Sequence, residues 1–399
     1  MVRSGSGHPR NKGEQGINHL TGNGIIRIRR RVWWYRGAGR DERLDRWLGI
    51  AESSVSVAGR ELCCRVAMGS SFEKAVDNLA RVGQVVIGKQ WMRQIVEGEG
   101  QRVNALRTSG VVGPGWQASD CAVAPGGPTR VMTGSDGVKV PLITEAEKRR
   151  RRENQARRRA GRKARRSRRD GRRRVRGADQ PYKEFKIGVF YDEPRTHQYA
   201  FGTSGDHTVL GKMLRREAAK LKLGEADEKL SISDGAEWIR RQFQTQLPML
   251  DAMILDFYHL AEHVAGTART CYGEGSQAAA TWTHRVLEAV RNEGAGAVLV
   301  VIEETWRTVR SPRKRKGLQD LRTYVAKRCD MLDYPAFRAR GFDIGSGPTE
   351  AFCKTLTARL KGSGMRWNRR NAEAVMALAA LEHSHLWQTY WNAQRQAAA

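Results

Sequence analysis

The chain has 399 residues, which is long enough for two or three domains that each bury a hydrophobic core. Its 71 Lys and Arg exceed its 42 Asp and Glu, and the resulting formal charge of +29 makes a polyanionic partner the expectation. A membrane-spanning protein is excluded, because the most apolar run, at 296–302, is far shorter than the ~20 residues that cross a bilayer.

The six cysteines predict reduced thiols, with neither a disulfide framework nor a zinc ribbon. They show no Cys-x-x-Cys spacing and no paired pattern. The chain also opens without the apolar stretch of a signal peptide. We therefore expect a soluble protein of the cytoplasm.

The first 59 residues are expected to combine a mobile start, rich in Gly, Ser and Asn, with a basic arm. Within them, GIIRIRRRVWWYRG (24–37) alternates well enough to predict a strand or one half of a hairpin. From 60 to 109 the apolar spacing becomes helical, and the break GQVVIG (83–88) separates two helices.

Helix, short turn and helix form the outline of a helix-turn-helix, an outline that any small helical bundle shares. In the second helix, Trp91 and Ile95 are expected to face the core. A recognition helix would then present its polar neighbours to a DNA major groove, namely Lys89, Gln90, Arg93 and Gln94. Both interpretations, DNA reading and plain core packing, stay open at this point.

Strands and helices alternate in the middle of the chain. After a Gly- and Pro-rich linker at 110–130, residues 131–260 predict three strands, a helix, a strand, a helix and a last strand at 252–260. This order is typical of a ribonuclease-H-like α/β core, a mixed five-stranded sheet flanked by helices. Residues 261–335 predict an all-helical insertion, and 336–399 predict the last helices of the core.

An Arg-rich run at 148–176 interrupts the predicted core between its first two strands. It holds 18 Lys and Arg against two acids, which is about half of the net charge of the chain. Such runs are usually solvated arms that bind phosphates without reading sequence. We expect this arm to guide DNA, beginning with Arg149, Arg150, Arg151 and Arg152.

Three acids occupy positions that a metal-dependent site for phosphodiester chemistry would need. Asp136 lies in the first core strand, Asp234 ends the fourth, and Glu350 lies in the first turn of a helix after the fifth. Carboxylates so placed can converge on two Mg²⁺ ions roughly 3.5–4 Å apart, which clamp the attacking and leaving oxygens.

Each of these acids also has an ordinary structural interpretation. Asp136 and Asp234 both precede Gly in a common turn pair, and Glu350 at the third helical position favours the helix dipole. The rival acids of the sheet are Asp192, Asp206 and Asp256. Asp256 is the most serious rival, because it also lies at the end of a predicted strand.

The helix of Glu350 shows two faces in its sequence. Helical spacing puts Glu350 on a polar face with Lys354, Thr357 and Lys361, whose two lysines suit phosphate contacts. The apolar stripe of the same helix consists of Phe352, Leu356 and Leu360.

Six segments closely resemble transposases of bacterial insertion sequences, specifically the ISKra type, which is related to the Mutator superfamily of DDE transposases. They are SDGVKVPLIT (135–144), KEFKIGVFYDE (183–193), LKLGEADEK (221–229), SDGAEWIR (233–240), LDFYHLAEHV (255–264) and DYPAFRARGFDIGSGPTEAFCKTLTARLKGSGMRW (333–367). The resemblance covers about residues 20–390 and is most specific in the last segment. One departure is the stretch 32–49, which has neither Cys nor His where many relatives carry a zinc-ribbon-like segment.

The resemblance implies a ribonuclease-H-like fold with a helical insertion, DNA cleavage at element ends, and strand transfer. It implies that Asp136, Asp234 and Glu350 are the first, second and third acids and bind Mg²⁺, for which Mn²⁺ can substitute. Asp256 and His259 match the secondary C/D-x-x-H motif of the family. For His259, a structural hydrogen bond, orientation of an acid and contact with DNA all stay open.

In this interpretation the partners are the terminal repeats of the element and the target DNA, in the nucleoid of a bacterial cell. Joining two ends requires at least a homodimer. Two alternatives stay open: a catalytically decayed or repurposed DNA-binding protein, and a metal-dependent nuclease of the same fold without strand transfer. The presence of all three acids argues against the first alternative.

Overall fold

The computed structural model describes residues 8, 10–36, 39–40, 54–161, 182–362 and 365–398. The chain divides into two compact units. We call the unit built from 1–112, 140–182 and 356–399 the terminal unit, and the unit built from 113–139 and 183–355 the sheet unit. In the described part of the chain, no helix has the length and apolar character needed to cross a membrane.

The described residues form eight strands and fourteen α-helices. The strands are β1 Arg10–Thr21, β2 Gly24–Tyr35, β3 Gly39–Arg40, β4 Arg130–Val140, β5 Lys183–Tyr191, β6 Gln198–Thr203, β7 Glu228–Ser233 and β8 Ala252–Leu255. The helices are α1 Val57–Met68, α2 Phe72–Val82, α3 Lys89–Thr108, α4 Glu145–Arg159, α5 His207–Lys220, α6 Glu237–Gln246, α7 Phe257–Tyr272, α8 Gln277–Glu293, α9 Ala295–Thr308, α10 Pro312–Ala326, α11 Tyr334–Ala339, α12 Gly347–Lys361, α13 Arg369–His383 and α14 Trp387–Ala398.

A mixed five-stranded sheet is the centre of the sheet unit, with the strand order β6-β5-β4-β7-β8. β7 runs parallel to β4 and β8 runs parallel to β7, whereas β5 and β6 are antiparallel. β4 and β5 are also antiparallel, because the Thr133 hydroxyl donates to the Val189 carbonyl and the Ser135 hydroxyl donates to the Ile187 carbonyl. The α/β class and the mixed five-stranded sheet predicted from the sequence are thus present.

The central strands of this sheet are buried on both faces. Every residue of β5 from Phe185 to Tyr191 is buried, although the side chains alternate between the two faces. A continuous run of buried positions is typical of a strand that is covered by other layers on both sides. The nearly continuous apolar run KEFKIGVFY therefore indicates an interior strand.

The helical insertion begins earlier than the sequence pattern predicted. Strand β8 ends at Leu255, and the Asp256 side chain caps α7 by accepting a hydrogen bond from the His259 backbone N–H. The predicted strand at 252–260 is therefore wrong beyond its first four residues. Helices α7 to α10 then pack against one another, and Trp282 of α8 donates a buried hydrogen bond of 2.8 Å to Thr305 of α9.

The segment predicted as a linker at 110–130 is packed over much of its length. Trp116, Ala118 and Cys121 are buried, and the backbone N–H of Ala118 donates to the carbonyl of Leu221 at 2.8 Å. Buried apolar side chains hold this segment in the sheet unit, although its Gly and Pro residues suggested a free connection.

The terminal unit contains the β1–β2 hairpin, helices α1 to α4, and the C-terminal helices α13 and α14. The buried stripe of α3 includes Met92 and Val96, whereas Trp91 and Ile95 are only half-buried. The prediction that Trp91 and Ile95 face the core is therefore wrong by one position. The contact of α3 with α13 sets this rotation, because a Cβ at Gly100 would overlap the backbone of Ala374.

Parts of two sequence predictions lie outside the described residues. The Arg-rich run is described only as far as 161, where its first half forms α4. The stretch 32–49 without Cys or His is described only at 32–36 and 39–40.

A pair of glycine substitutions tests the packing of α3 on α13. Gly100→Ala should lower the free energy of unfolding by about 1–3 kcal/mol, because the added methyl group overlaps the Ala374 backbone. Gly98→Ala on the same helix is the matched control, because its Cβ would have no neighbour within 4 Å. Alanine favours the helix by about 0.5–1 kcal/mol, so the control should be neutral or stabilising in urea denaturation. Equal effects of the two substitutions would contradict the close packing.

Candidate metal centre

The parallel register of β4 and β7 brings two predicted acids level with each other. Thr133 pairs with Ser231 as the last pair of this register; Asp136 comes three residues later within β4, and Asp234 comes directly after the end of β7. Neighbouring strands lie ~4.8 Å apart, so level carboxylates on two strands are close neighbours. Both side chains are half-buried.

The first turn of α12 brings the third predicted acid to the same place. Thr349 lies directly over Gly134, where a Cβ would overlap its side chain, and Asp136 points to the same face of β4 as Gly134 would. One turn further along α12, Cys353 forms a side-chain hydrogen bond with Asp136. Glu350 lies in the same turn of α12, and its charge acts on Asp136.

The electrostatics of Asp136 show that the three carboxylates influence one another. Burial raises the pKa of Asp136, and the negative charges of Asp234 and Glu350 raise it further. Hydrogen bonds from the backbone N–H of Gly137, at 2.5 Å, and from Cys353 act in the opposite direction. A cation would relieve this excess of negative charge, and carboxylate oxygens are the ligands that Mg²⁺ prefers. The donor set fits a divalent metal ion.

The two lysines of α12 are exposed, as predicted, but the polar face is narrower than expected. Lys354 lies one turn from Glu350, with 3.5 Å between its Nζ and Oε2 of Glu350. Both side chains are exposed, so this ion pair is weak and leaves Glu350 accessible. Thr357, predicted on the polar face, is buried beside the apolar stripe, whereas Lys361 is exposed.

Asp256 lies level with Asp234 on the next strand, but hydrogen bonds occupy both of its oxygens. Oδ1 accepts from the backbone N–H of His259 at 2.8 Å. Oδ2 accepts from the backbone N–H of Ser346 at 2.5 Å and from the Ser346 hydroxyl. Phe257 adds a backbone hydrogen bond to Ile344 at 2.9 Å. Asp256 therefore fastens the loop before α12 to the end of β8, and this fixes where Glu350 lies.

The His259 side chain does not contact Asp256, since only its backbone N–H does so. Its ring packs edge to face on His263, with ring centres 5.1 Å apart, and its Nδ1 lies 3.8 Å from a carboxylate oxygen of Glu262. Among the roles left open for His259, the structure shows no hydrogen bond from its ring to Asp256. His259 is linked to the Asp256 carboxylate by the hydrogen bond that its backbone N–H donates.

Two residues at the end of α10 brace the turn after Asp234, and sequence reasoning missed both. Tyr324 donates to the carbonyl of Asp234 at 3.3 Å, and Nε of Arg328 donates to the carbonyl of Gly235 at 2.8 Å. The Arg328 guanidinium lies 4.0 Å from the centre of the Tyr324 ring, and His263 stacks on the same ring with 4.0 Å between the ring centres. Their spacing of four residues on a helix was a signal, but nothing in it named the turn as their target.

The other two rival acids of the sheet unit, Asp206 and Asp192, have different surroundings. Asp206 caps α5 at the surface. Within the described part of the chain, Asp192, Cys121 and His197 are the one group of three possible metal ligands whose donor atoms all lie within 4.8 Å of one another. The donor atoms of Asp136, Asp234 and Glu350 are farther apart than this. The two oxygens of Asp192 already accept from the backbone N–H and the ring of His197, each at 2.9 Å. Burial, followed by the charges of Asp192 and Asp120, raises the pKa of Cys121 to about 12, so its thiol stays protonated.

Some predicted DNA-binding side chains of the terminal unit are exposed, and others form ion pairs with neighbouring glutamates. Gln90 and Gln94 are exposed on α3, whereas Arg93 lies 3.8 Å from Glu97 and Lys89 lies 3.4 Å from Glu73. On α4, Arg149 and Arg152 are exposed, whereas Arg150 and Arg151 form ion pairs with Glu147.

Comparisons with known proteins add little to this geometry. No protein-family model matches the sequence, and no curated protein matches it. Among solved structures, the chain is similar to one in the "Drosophila P element transposase strand transfer complex", with a TM-score of 0.29 and 11% identity, over 86% of this chain and 82% of that chain. A likeness this weak carries no inference about function.

Two substitutions distinguish the structural aspartate from the candidate ligand. In buffer without divalent ions, Asp256→Ala should lower the free energy of unfolding by about 1.5–3 kcal/mol, because it leaves buried donors without a charged acceptor. Asp136→Asn should leave stability unchanged or raise it. The folded chain favours protonated Asp136, so its ionised form opposes folding at pH 7. Urea denaturation measures both, and a loss in Asp136→Asn as large as that in Asp256→Ala would contradict this division.

Proposed function

We propose that this chain is a DDE transposase with a ribonuclease-H-like core, in which Asp136, Asp234 and Glu350 bind two divalent metal ions. The observation that supports the proposal is the position of Asp136 on β4 and of Asp234 directly after the adjacent parallel strand β7, where the charges of Asp234 and Glu350 both act on Asp136. The resemblance of the sequence to ISKra-type transposases of the Mutator superfamily supports the same function.

The strand order supports a ribonuclease-H-like core. Counted within the sheet unit, the order is third, second, first, fourth and fifth, with the second strand antiparallel to its neighbours. In this arrangement the first and fourth strands are neighbours in the middle of the sheet. Acids on these two strands can share a metal ion without any displacement of the backbone.

The proposed chemistry is exchange of phosphodiester bonds. Bound Mg²⁺ or Mn²⁺ would activate the attacking oxygen and neutralise charge on the leaving oxygen. In the first step water would attack a phosphodiester at the element end, and the bond from phosphorus to the 3′-oxygen would break to leave a free 3′-hydroxyl. In the second step that 3′-hydroxyl would attack a phosphodiester of the target, forming a new P–O bond while the 3′-oxygen of the target strand leaves as a hydroxyl. Asp136 lies on β4 and Asp234 follows β7, and exposed Glu350 would complete the ligand set beside Lys354, which suits contact with a DNA phosphate.

The terminal unit supplies the proposed DNA contacts outside the catalytic centre. The α3 side chains would read element ends, and α4 with the rest of the run at 148–176 would bind phosphates of end or target DNA. Two element ends must be joined in one reaction, so the proposal includes a homodimer or a higher oligomer on DNA. A nuclease without strand transfer would use the same site and would cut DNA without joining it.

Substitution of the acids should separate DNA cleavage from DNA binding. Asp136→Asn or Glu350→Gln should reduce Mg²⁺-dependent cutting of element ends by about a thousandfold, because a lost metal ligand removes several kcal/mol of transition-state stabilisation. Binding of the same DNA should persist or strengthen, since a negative charge near the phosphates is removed. Gel analysis of end cleavage and of strand transfer, beside a binding titration, measures these effects.

Asp206→Asn is the matched control for this experiment. It changes an exposed acid of the same unit that caps α5, and asparagine caps a helix about as well as aspartate. The control should cleave like the unchanged protein. Substantial cutting by Asp136→Asn or Glu350→Gln would refute the assignment, and cutting without joined products would favour the nuclease.

The exposed glutamines of α3 test the proposed recognition helix. Gln94→Ala should reduce discrimination between element ends and random duplex DNA by about 1–3 kcal/mol, because Gln can form two hydrogen bonds with adenine. Gln388→Ala, on an exposed position of α14, is the control and should change nothing. Footprinting on element ends measures the difference. An equal loss of affinity for all sequences would assign α3 to backbone contacts, and no loss would place recognition elsewhere.

A further inference from the structure

One face of the β1–β2 hairpin carries a row of exposed arginines. The strands pair in an unbroken register from Glu14 with Arg31 to Thr21 with Gly24. Arg27, Arg29 and Arg31 alternate along β2, so they share one face, and all three are exposed.

The opposite face is buried in part. His19, Arg30 and Val32 on that face are buried, whereas Ile26 and Trp34 are exposed. The arginine face is exposed at all three of its arginines. Exposed Ile25 and Trp33 extend the same face at both ends of the arginine row.

The charge on this exposed face is not balanced. The segment from 10 to 36 contains seven Lys and Arg and a single acid, Glu14. Among the described residues, none of the three arginines lies within ion-pair distance of a carboxylate, although Glu14 pairs with Arg31 in the backbone register. An anionic partner is therefore the ligand that this face fits.

The geometry of the hairpin favours duplex DNA among anionic partners. A two-stranded ribbon is one of the elements that the major groove of B-DNA admits. Two residues of an extended strand span ~6.8 Å, which is about the rise of two base pairs, so successive arginines advance with the groove. Gly16 leaves room for Arg27 to lie across β1, because a Cβ at Gly16 would be only 2.8 Å from Nε of Arg27.

We propose that the β1–β2 ribbon is a second duplex-binding element that enters the major groove of DNA with Arg27, Arg29 and Arg31. The three guanidinium groups contact phosphates and guanine edges, for which their planar fork is suited. The ribbon shares no residue with the candidate metal centre or with the exposed glutamines of α3. It rests on the proposed function only in taking DNA as the substrate.

Binding without divalent ions tests this proposal apart from catalysis. The full chain and its Arg27→Gln/Arg29→Gln/Arg31→Gln variant are titrated with a fluorescent 30-base-pair duplex over a series of salt concentrations. Loss of three phosphate contacts should make the slope of log K against log salt shallower by about 2.7. The matched control removes three exposed arginines from the helical insertion, Arg285, Arg291 and Arg307, and should leave the slope unchanged.

Two further arms distinguish groove binding from a general charge effect. The Arg27→Lys/Arg29→Lys/Arg31→Lys variant keeps the charge, so it should retain the salt slope but lose preference for guanine-containing sites. An A-form RNA duplex has a major groove too narrow for side chains to read, so the three arginines should contribute less to its binding.

Several results would overturn the proposal. They are an unchanged slope in the folded glutamine variant, an equal change in the control variant, or an equal contribution of the three arginines to RNA and DNA duplexes. Thermal unfolding of the variants by circular dichroism shows that they are folded. Failure of the proposed function would instead appear as absent cleavage by the unchanged protein, with this binding result unaffected.

Discussion

The parallel register of β4, β7 and β8 is the constraint on which the site depends. It sets Asp136, Asp234 and Asp256 in one row across three neighbouring strands, where like charges would oppose folding. Asp256 is not available as a metal ligand, because its carboxylate already accepts hydrogen bonds from Ser346 and from the α7 backbone. Two strand acids remain for a ligand, and burial together with neighbouring charge raises the pKa of Asp136. The cost of holding these carboxylates together is what a bound cation would offset.

The same hydrogen bonds explain how a distant helix completes the set. Ser346 directly precedes α12, so the attachment of its backbone to Asp256 fixes the start of the helix that carries Glu350. Gly134 allows that helix to lie against β4 without a side chain between them. From the other side, Tyr324 and Arg328 hold the turn after Asp234. The helical insertion therefore supports the geometry of the centre, although it contributes none of the three acids.

Much of this architecture could be predicted from the sequence, because its signals are local. Buried runs such as KEFKIGVFY identify strands, the Asp234-Gly235 pair marks the end of β7, and the order of the elements gives the sheet. Rotation of a helix about its axis could not be predicted, since the contact of Gly100 with Ala374 turns Met92 inward in place of Trp91. The role of Asp256 was equally hidden, because its partner Ser346 lies 90 positions away. The sequence does not distinguish an aspartate at a strand end that binds a metal ion from one that accepts a hydrogen bond from a backbone N–H.

The most direct test of the metal centre is the binding of Mn²⁺ followed by electron paramagnetic resonance, which needs neither DNA nor activity. Two ions roughly 3.5–4 Å apart have coupled spins, so the unchanged protein should show a coupled pair. Asp234→Asn should abolish that signal. Cys121→Ser, in the other group of possible ligands, should preserve it. Two independent ions, or a coupled pair that survives Asp234→Asn but disappears in Cys121→Ser, would contradict a centre built from Asp136, Asp234 and Glu350.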